Sequence, residues 1–178
     1  MEVNNTMTKI RKTCHIITVL LKISKVVCYV GIGFLLAAIV YIVAWKGDLT
    51  PLYQAGKITV MAPISADWFD NMSKASTIFF MLIFIIKLIV SAIMFHVAGK
   101  FFGDAGREET PFVMKNVYRL RVISILYFVV NMFELSGSKM DDFLSINLGG
   151  LVGAFIIWGI SYMFEYGCKL QIESDETL

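Results

Sequence analysis

Four apolar runs separated by polar segments set the plan of this 178-residue chain. Residues 26–45, 77–98, 120–136 and 146–166 are dominated by Val, Ile, Leu, Phe, Ala and Gly, with few charges. A bilayer hydrocarbon core about 30 Å thick is crossed by about 20 such residues in a helix, so each run reads as a membrane span. Between them lie a long loop at 46–74, a charge-rich loop at 99–119 and a tail at 167–178. The pattern predicts a single all-α domain, a polytopic four-helix membrane bundle.

The charge-rich loop carries signals for the next helix. Thr110 suits an N-cap, and Pro111 suits the first helical position, where its missing N–H is not needed. Glu108 and Glu109 suit the positive end of the helix dipole. One helix is therefore predicted from Phe112 to Ser136, with Gly99 closing the helix before it as a C-cap. Upstream of the first span, Arg11, His15, Thr18, Lys22 and Lys25 form a polar stripe opposite Ile10, Cys14, Ile17, Leu20 and Leu21. This segment reads as a basic amphipathic helix on a membrane surface, or as an extension of the first span. Small residues suit close helix contact at Gly33 and Ala37 and at the Gly149/Gly153 pair, and these are expected to meet. In the long loop, Lys57-Ile-Thr-Val-Met reads as a short strand, Trp68 and Phe69 as interfacial residues, and Asn71-Met-Ser73 as a minimal glycosylation acceptor.

Composition agrees with a membrane setting: 57% of residues are hydrophobic and only 17% charged, against about 25% charged in an ordinary soluble domain. The net charge of +2 is too small to point to direct contact with nucleic acid. Distribution tells more than the total. Lys9, Arg11, Lys12, Lys22, Lys25, Lys100, Arg107, Lys115, Arg119, Arg121 and Lys169 fall on one side of the predicted bundle, and Lys46, Lys57, Lys74 and Lys139 on the other. The side richer in Lys and Arg faces the cytoplasm, which predicts cytoplasmic termini and a cytoplasmic 99–119 loop. Cys14, Cys28 and Cys168 then sit towards a reducing compartment, and no disulfide framework is expected.

Catalytic signatures are missing. The chain has no HExxH, GxSxG, phosphate-binding loop or CxxC pair, so a non-enzymatic protein without metal or cofactor is expected. One intramembrane constellation stands out. Lys87 lies mid-span, and Asn131 and Glu134 lie towards the end of the third run. A lone charge in mid-bilayer costs about 2.5–3.5 kcal/mol on insertion scales, so Lys87 should face the bundle and find a partner. With a rise of about 1.5 Å per residue, Lys87 and Glu134 differ in depth by about 10 Å, and their side chains lean towards each other. The pair is either a structural ion pair or part of an ion, proton or ligand site.

Two segments carry a resemblance. Thr110-Pro-Phe-Val-Met-Lys-Asn-Val-Tyr-Arg-Leu-Arg121 is similar to a PF-x-x-x-N-x-x-x-L-R signature, and the tail from Gly167 to Leu178 to a G-x-x-L-Q-x-x-x-D-x-T signature. Together they resemble the bacterial four-span membrane family known as domain of unknown function 2975. The resemblance implies an inner-membrane protein with no established reaction, whose genes often neighbour a small helix-turn-helix regulator. By carry-over the residues of interest are Pro111, Phe112, Asn116, Leu120 and Arg121, then Gly167, Leu170, Gln171, Asp175 and Thr177. Thr110 and Arg119 join them as helix cap and cytoplasmic cation, and Arg119 and Arg121 could reach lipid headgroups or the acidic tail. Two functions follow as expectations: docking of a cytosolic regulator on this face, or transport, channel or immunity work through Lys87, Asn131 and Glu134. The lipid bilayer is a partner under either, and the pattern sets no oligomeric state.

Overall fold

The computed structural model describes residues 2–45, 74–107, 112–134 and 145–176. Among the described residues are four helices: α1 (Glu2–Trp45), α2 (Lys74–Ala105), α3 (Met114–Met132) and α4 (Leu148–Glu176). A two-residue antiparallel ladder, β1 (Phe133–Glu134) with β2 (Ser145–Ile146), joins α3 to α4. The helices form two antiparallel hairpins, α1 with α2 and α3 with α4, and α2 packs on α3 to unite them. Among the described residues three helices, α1, α2 and α4, are long and apolar enough to cross a membrane. At about 1.5 Å per residue they measure roughly 66, 48 and 44 Å, longer than the 30 Å apolar core of a bilayer, so their ends project beyond it. Large apolar side chains point outward along them, among them Val30, Phe34, Val40, Phe79, Ile86, Val152 and Phe155. In water such patches would drive association, whereas lipid accommodates them. The surface is that of a multi-pass membrane protein.

Several predicted boundaries move. The amphipathic segment and the first span are one unbroken helix, α1, so the extension reading holds and the helix does not lie apart on a surface. Gly99 does not cap α2, which continues for six residues to Ala105. It faces α1 instead: a Cβ at Gly99 would make ordinary contact 4.0 Å from the Leu21 Cβ and one at Gly103 3.9 Å from Thr18, whereas one at Gly106 would stand 3.0 Å from the Cys14 Cβ. Glycines spaced by four and three on one face line the contact with α1, tight at Gly106 alone of the three, an arrangement a reading for helix stops cannot distinguish from a cap. The backbone turns at Gly106, whose N–H donates to the Phe102 carbonyl at 3.1 Å.

The third helix is shorter than predicted at both ends. Phe112 and Val113 lie outside it, and the Val113 carbonyl accepts from Asn116 N–H at 2.8 Å and Val117 N–H at 3.4 Å. Val113 thus opens α3, while Thr110 and Pro111 fall outside the described residues. At the other end the helix stops at Met132 and Phe133 and Glu134 turn into the ladder. The Asn131 side chain donates to the Tyr127 carbonyl at 2.8 Å, the kind of local bond that competes with helix continuation. The Asn147 carboxamide oxygen caps α4 by accepting from Gly150 N–H at 3.0 Å. That helix then runs through the predicted tail to Glu176 without a break.

The Gly149/Gly153 region packs on α3 rather than on Gly33 and Ala37. A Cβ at Gly153 would stand 2.7 Å from the Tyr127 ring and one at Gly150 2.5 Å from the Asn131 Cβ, whereas among the described residues nothing lies within 4 Å of a Cβ placed at Gly33. Gly149 itself faces its own cap, with the Asn147 oxygen 3.0 Å from a Cβ placed there. Ala37 is exposed on α1. The buried positions of α4, Gly150, Ala154, Ser161 and Cys168, meet those of α3, Asn116, Val117, Leu120 and Ser124, in a seam of small and medium side chains. Ser124 Oγ donates across it to the Ala154 carbonyl at 2.7 Å.

Candidate functional site

Both motif segments converge at the end of the bundle where α2 finishes and α3 begins. Phe112, just before α3, rests on α4 at Gly167: a Cβ there would lie 2.6 Å from its ring. Its ring centroid is 5.3 Å from that of Phe164, which in turn lies 5.8 Å from Phe101 of α2. Two helices and the segment that leads into α3 therefore meet on one aromatic cluster, and glycine at 167 leaves room for the ring.

Beside the aromatic cluster the motif cations are held by carboxylates. Arg119 donates to Asp104 at 2.7 Å, to the Asn116 side-chain oxygen at 3.2 Å and to the Lys100 carbonyl at 3.2 Å. Lys115 reaches the same Asp104 oxygen at 2.9 Å. The hydrogen bonds from Lys115 and Arg119 hold the Asp104 carboxyl, beyond the apolar part of α2, below the usual carboxylate range. Arg121 pairs with Glu165 at 2.5 Å and lies over the Tyr162 ring at 5.4 Å. Lys169 joins Glu165 at 3.3 Å from one turn further along α4. Arg119 and Arg121 thus engage Asp104 and Glu165, which precede the acidic tail. Asp104 lay within the charge-rich loop, and Glu165 is the single acid in the last apolar run. That isolation was the available signal for Glu165, whereas Asp104 shares its loop with Glu108 and Glu109 and carried no such signal.

The remaining motif residues divide. Asn116 is fully buried and Leu120 nearly so, while Gln171 is half-buried. Leu170 and Asp175 are exposed, and Thr177 lies outside the described residues. Exposed Tyr118 and Tyr166 flank the cluster.

The intramembrane constellation is partly in view. Arg119 is level with Lys100 and Asp104, so moving about thirteen residues back along α2 and forward along α3 brings Lys87 level with Met132–Glu134. Lys87 is half-buried, and it lies on the same side of α2 as Ala98, three turns away. Asn131 is half-buried and turned back on its own helix. The Glu134 side chain, the 46–73 segment with its strand and glycosylation readings, and Glu108, Glu109 and Lys139 lie outside the described residues.

Among the described residues no three His, Cys, Asp or Glu side chains group as metal ligands. Comparison with protein-family models, with curated proteins and with solved structures finds no match to this chain.

Proposed function

We propose that this chain is a non-enzymatic bacterial inner-membrane protein of four spans. Both termini face the cytoplasm, and the aromatic and ionic cluster forms a dock for a cytosolic helix-turn-helix transcription regulator. The orientation rests on the Lys/Arg asymmetry, and the partner class and origin rest on the two motifs. α3 is the fourth span: it is about 28 Å long, and its cationic first turns sit at the cytoplasmic interface. The observation that carries the docking reading is the convergence of two sequence-distant motifs at one end of the bundle, Phe112 against Gly167. Their internal ion pairs fix this end as a rigid platform, and Tyr118, Tyr166 and Leu170, 70%, 64% and 47% exposed, supply its outward surface. Aromatic residues at such positions are common anchors of protein interfaces.

The test is co-purification of the detergent-solubilised protein with the regulator encoded beside it. Tyr118→Ala combined with Leu170→Ala should lower the retained regulator at least tenfold without changing the thermal stability of the membrane protein. Equal retention by the variant, or none by the wild type, refutes the dock. A second reading, transport through Lys87, Asn131 and Glu134, is favoured by the level of Lys87 beside the end of α3. It predicts a folded but inactive Lys87→Met/Glu134→Gln variant.

A further inference from the structure

The packing of α1 on α2 aligns a second polar group, three lysines and a histidine, apart from the paired cations. Gly99 faces Leu21 and Gly103 faces Thr18, which sets the antiparallel register. At about 100° per residue, Lys25 and Lys22 stand roughly 40° and 100° around α1 from Leu21. His96 and Lys100 stand roughly 60° and 100° around α2 from Gly99. Because the helices run in opposite directions, these rotations open onto the same edge of the hairpin. Lys25 and Lys100 are close enough for their charges to act on His96. Lys22, His96 and Lys100 are exposed and Lys25 is half-buried.

Two further features give the edge its meaning. It sits where the apolar run of α1 begins, at Val26, and where that of α2 ends, at Ala98. Exposed Val26, Ile89 and Ile93 lie next to it on the apolar side. The nearest described carboxylate along α2, Asp104, is one turn beyond Lys100 and is already bound to Lys115 and Arg119. A cluster of cations at the rim of an apolar surface matches one chemistry: a phosphate whose acyl chains lie along that surface.

We propose that Lys22, Lys25, His96 and Lys100 form a binding site for the phosphate headgroup of an anionic phospholipid. The hairpin would hold that lipid at the bilayer boundary. The site rests on the multi-pass reading and is independent of any docked regulator. Each lysine near an anionic headgroup is expected to change affinity about fivefold, and two together about thirtyfold.

The experiment uses the full chain in a neutral detergent. Phosphatidylglycerol, phosphatidylcholine and inorganic phosphate are titrated separately, with bound lipid counted by native mass spectrometry and thermal stability followed in parallel. The expected result is preferential binding and stabilisation by phosphatidylglycerol. Lys25→Gln/Lys100→Gln should lose about thirtyfold in affinity while keeping the lipid-free melting temperature. Lys9→Gln/Lys12→Gln, which removes the same charge from other faces of α1, should lose less than about threefold. Equal binding of the two lipids overturns the site. So does an equal loss in both variants, which would mean diffuse attraction, or saturation by inorganic phosphate at the same concentration. A lowered lipid-free melting temperature in the Lys25→Gln/Lys100→Gln variant would assign those lysines to the fold instead.

Discussion

Gly150 is the position where the α3–α4 seam is least able to yield. A Cβ there would stand 2.5 Å from the Asn131 Cβ, 3.0 Å from its carbonyl oxygen and 3.2 Å from its carbonyl carbon. Carbon atoms rest at about 3.5–4.0 Å, so Gly150→Ala requires the helices to part by roughly 1 Å. Two of the three neighbours are backbone, and no rotamer change relieves them. Overpacking of this kind costs about 1–3 kcal/mol. Separation also strains the Ser124–Ala154 hydrogen bond one turn along, at 2.7 Å, a contact worth about 0.5–1.5 kcal/mol. Against this, alanine gains up to about 1 kcal/mol over glycine in a helix interior. The net expectation is a loss of about 1–3 kcal/mol. Among the described residues nothing lies within 4 Å of a Cβ added at Gly159 on the same helix or at Gly33 on α1, so Gly159→Ala and Gly33→Ala should be neutral or slightly stabilising. Thermal unfolding in detergent, followed by helical circular dichroism, ranks the three. If Gly150→Ala is as stable as Gly159→Ala, the seam is not closely packed and the pairing of α3 with α4 is misjudged.

The other predictions follow from the clusters. Gly153→Leu should destabilise the bundle by about 2–3 kcal/mol through the Tyr127 ring, and Tyr127→Ala should recover part of that loss in a double-mutant cycle of melting temperatures. Asp104→Asn should cost about 1–3 kcal/mol at neutral pH, because Lys115 and Arg119 lose a charged acceptor. The Asp104 carboxyl is lowered in the folded state, so its contribution is complete above the ordinary carboxylate range and is lost as pH falls through that range to the lowered value. The wild type should accordingly lose more stability than Asp104→Asn between about pH 5 and about pH 3; parallel pH profiles would count against the pairing. In a cysteine-free background, a probe cysteine at Lys57 or Lys139 should label from outside the cell and one at Arg107 should not; outside labelling at Arg107 reverses the topology. Lys87→Met and Glu134→Gln should each lower stability by up to a few kcal/mol and the double variant should regain much of it; strictly additive losses would mean the two side chains do not meet.

How much of this was legible in the residues depends on whether a signal is local or shared between segments. The apolar runs are local, and they gave the helices that can cross a membrane and the all-helical class. Glycines are ambiguous locally. Gly99 was read as a stop and Gly149/Gly153 as a partner for Gly33, but a glycine that ends a helix and one that admits a neighbour look alike until the neighbour is known. Leu21 and Thr18 decide the case for α2, and Tyr127 and Asn131 decide it for α4. The start of α3 failed for a related reason: Thr110-Pro111 has the composition of a cap, yet the carbonyl that receives the first helical N–H groups belongs to Val113. Motif residues show the same division. Phe112, Asn116, Arg119, Leu120, Arg121 and Gly167 were marked by their pattern, but Asp104 and Glu165, which hold the arginines, belong to no motif and were left out. They could have been found by asking which carboxylate each cation at the edge of an apolar run would need. An arginine at that boundary is stable when it reaches water, headgroup or acid. Arg119 and Arg121 both reach acids on neighbouring helices, so the ionic pairs at this end join α2 to α3 and α3 to α4. That arrangement makes the motif a clamp that orients three helices, and any partner that docks here meets a surface whose shape the clamp has already set.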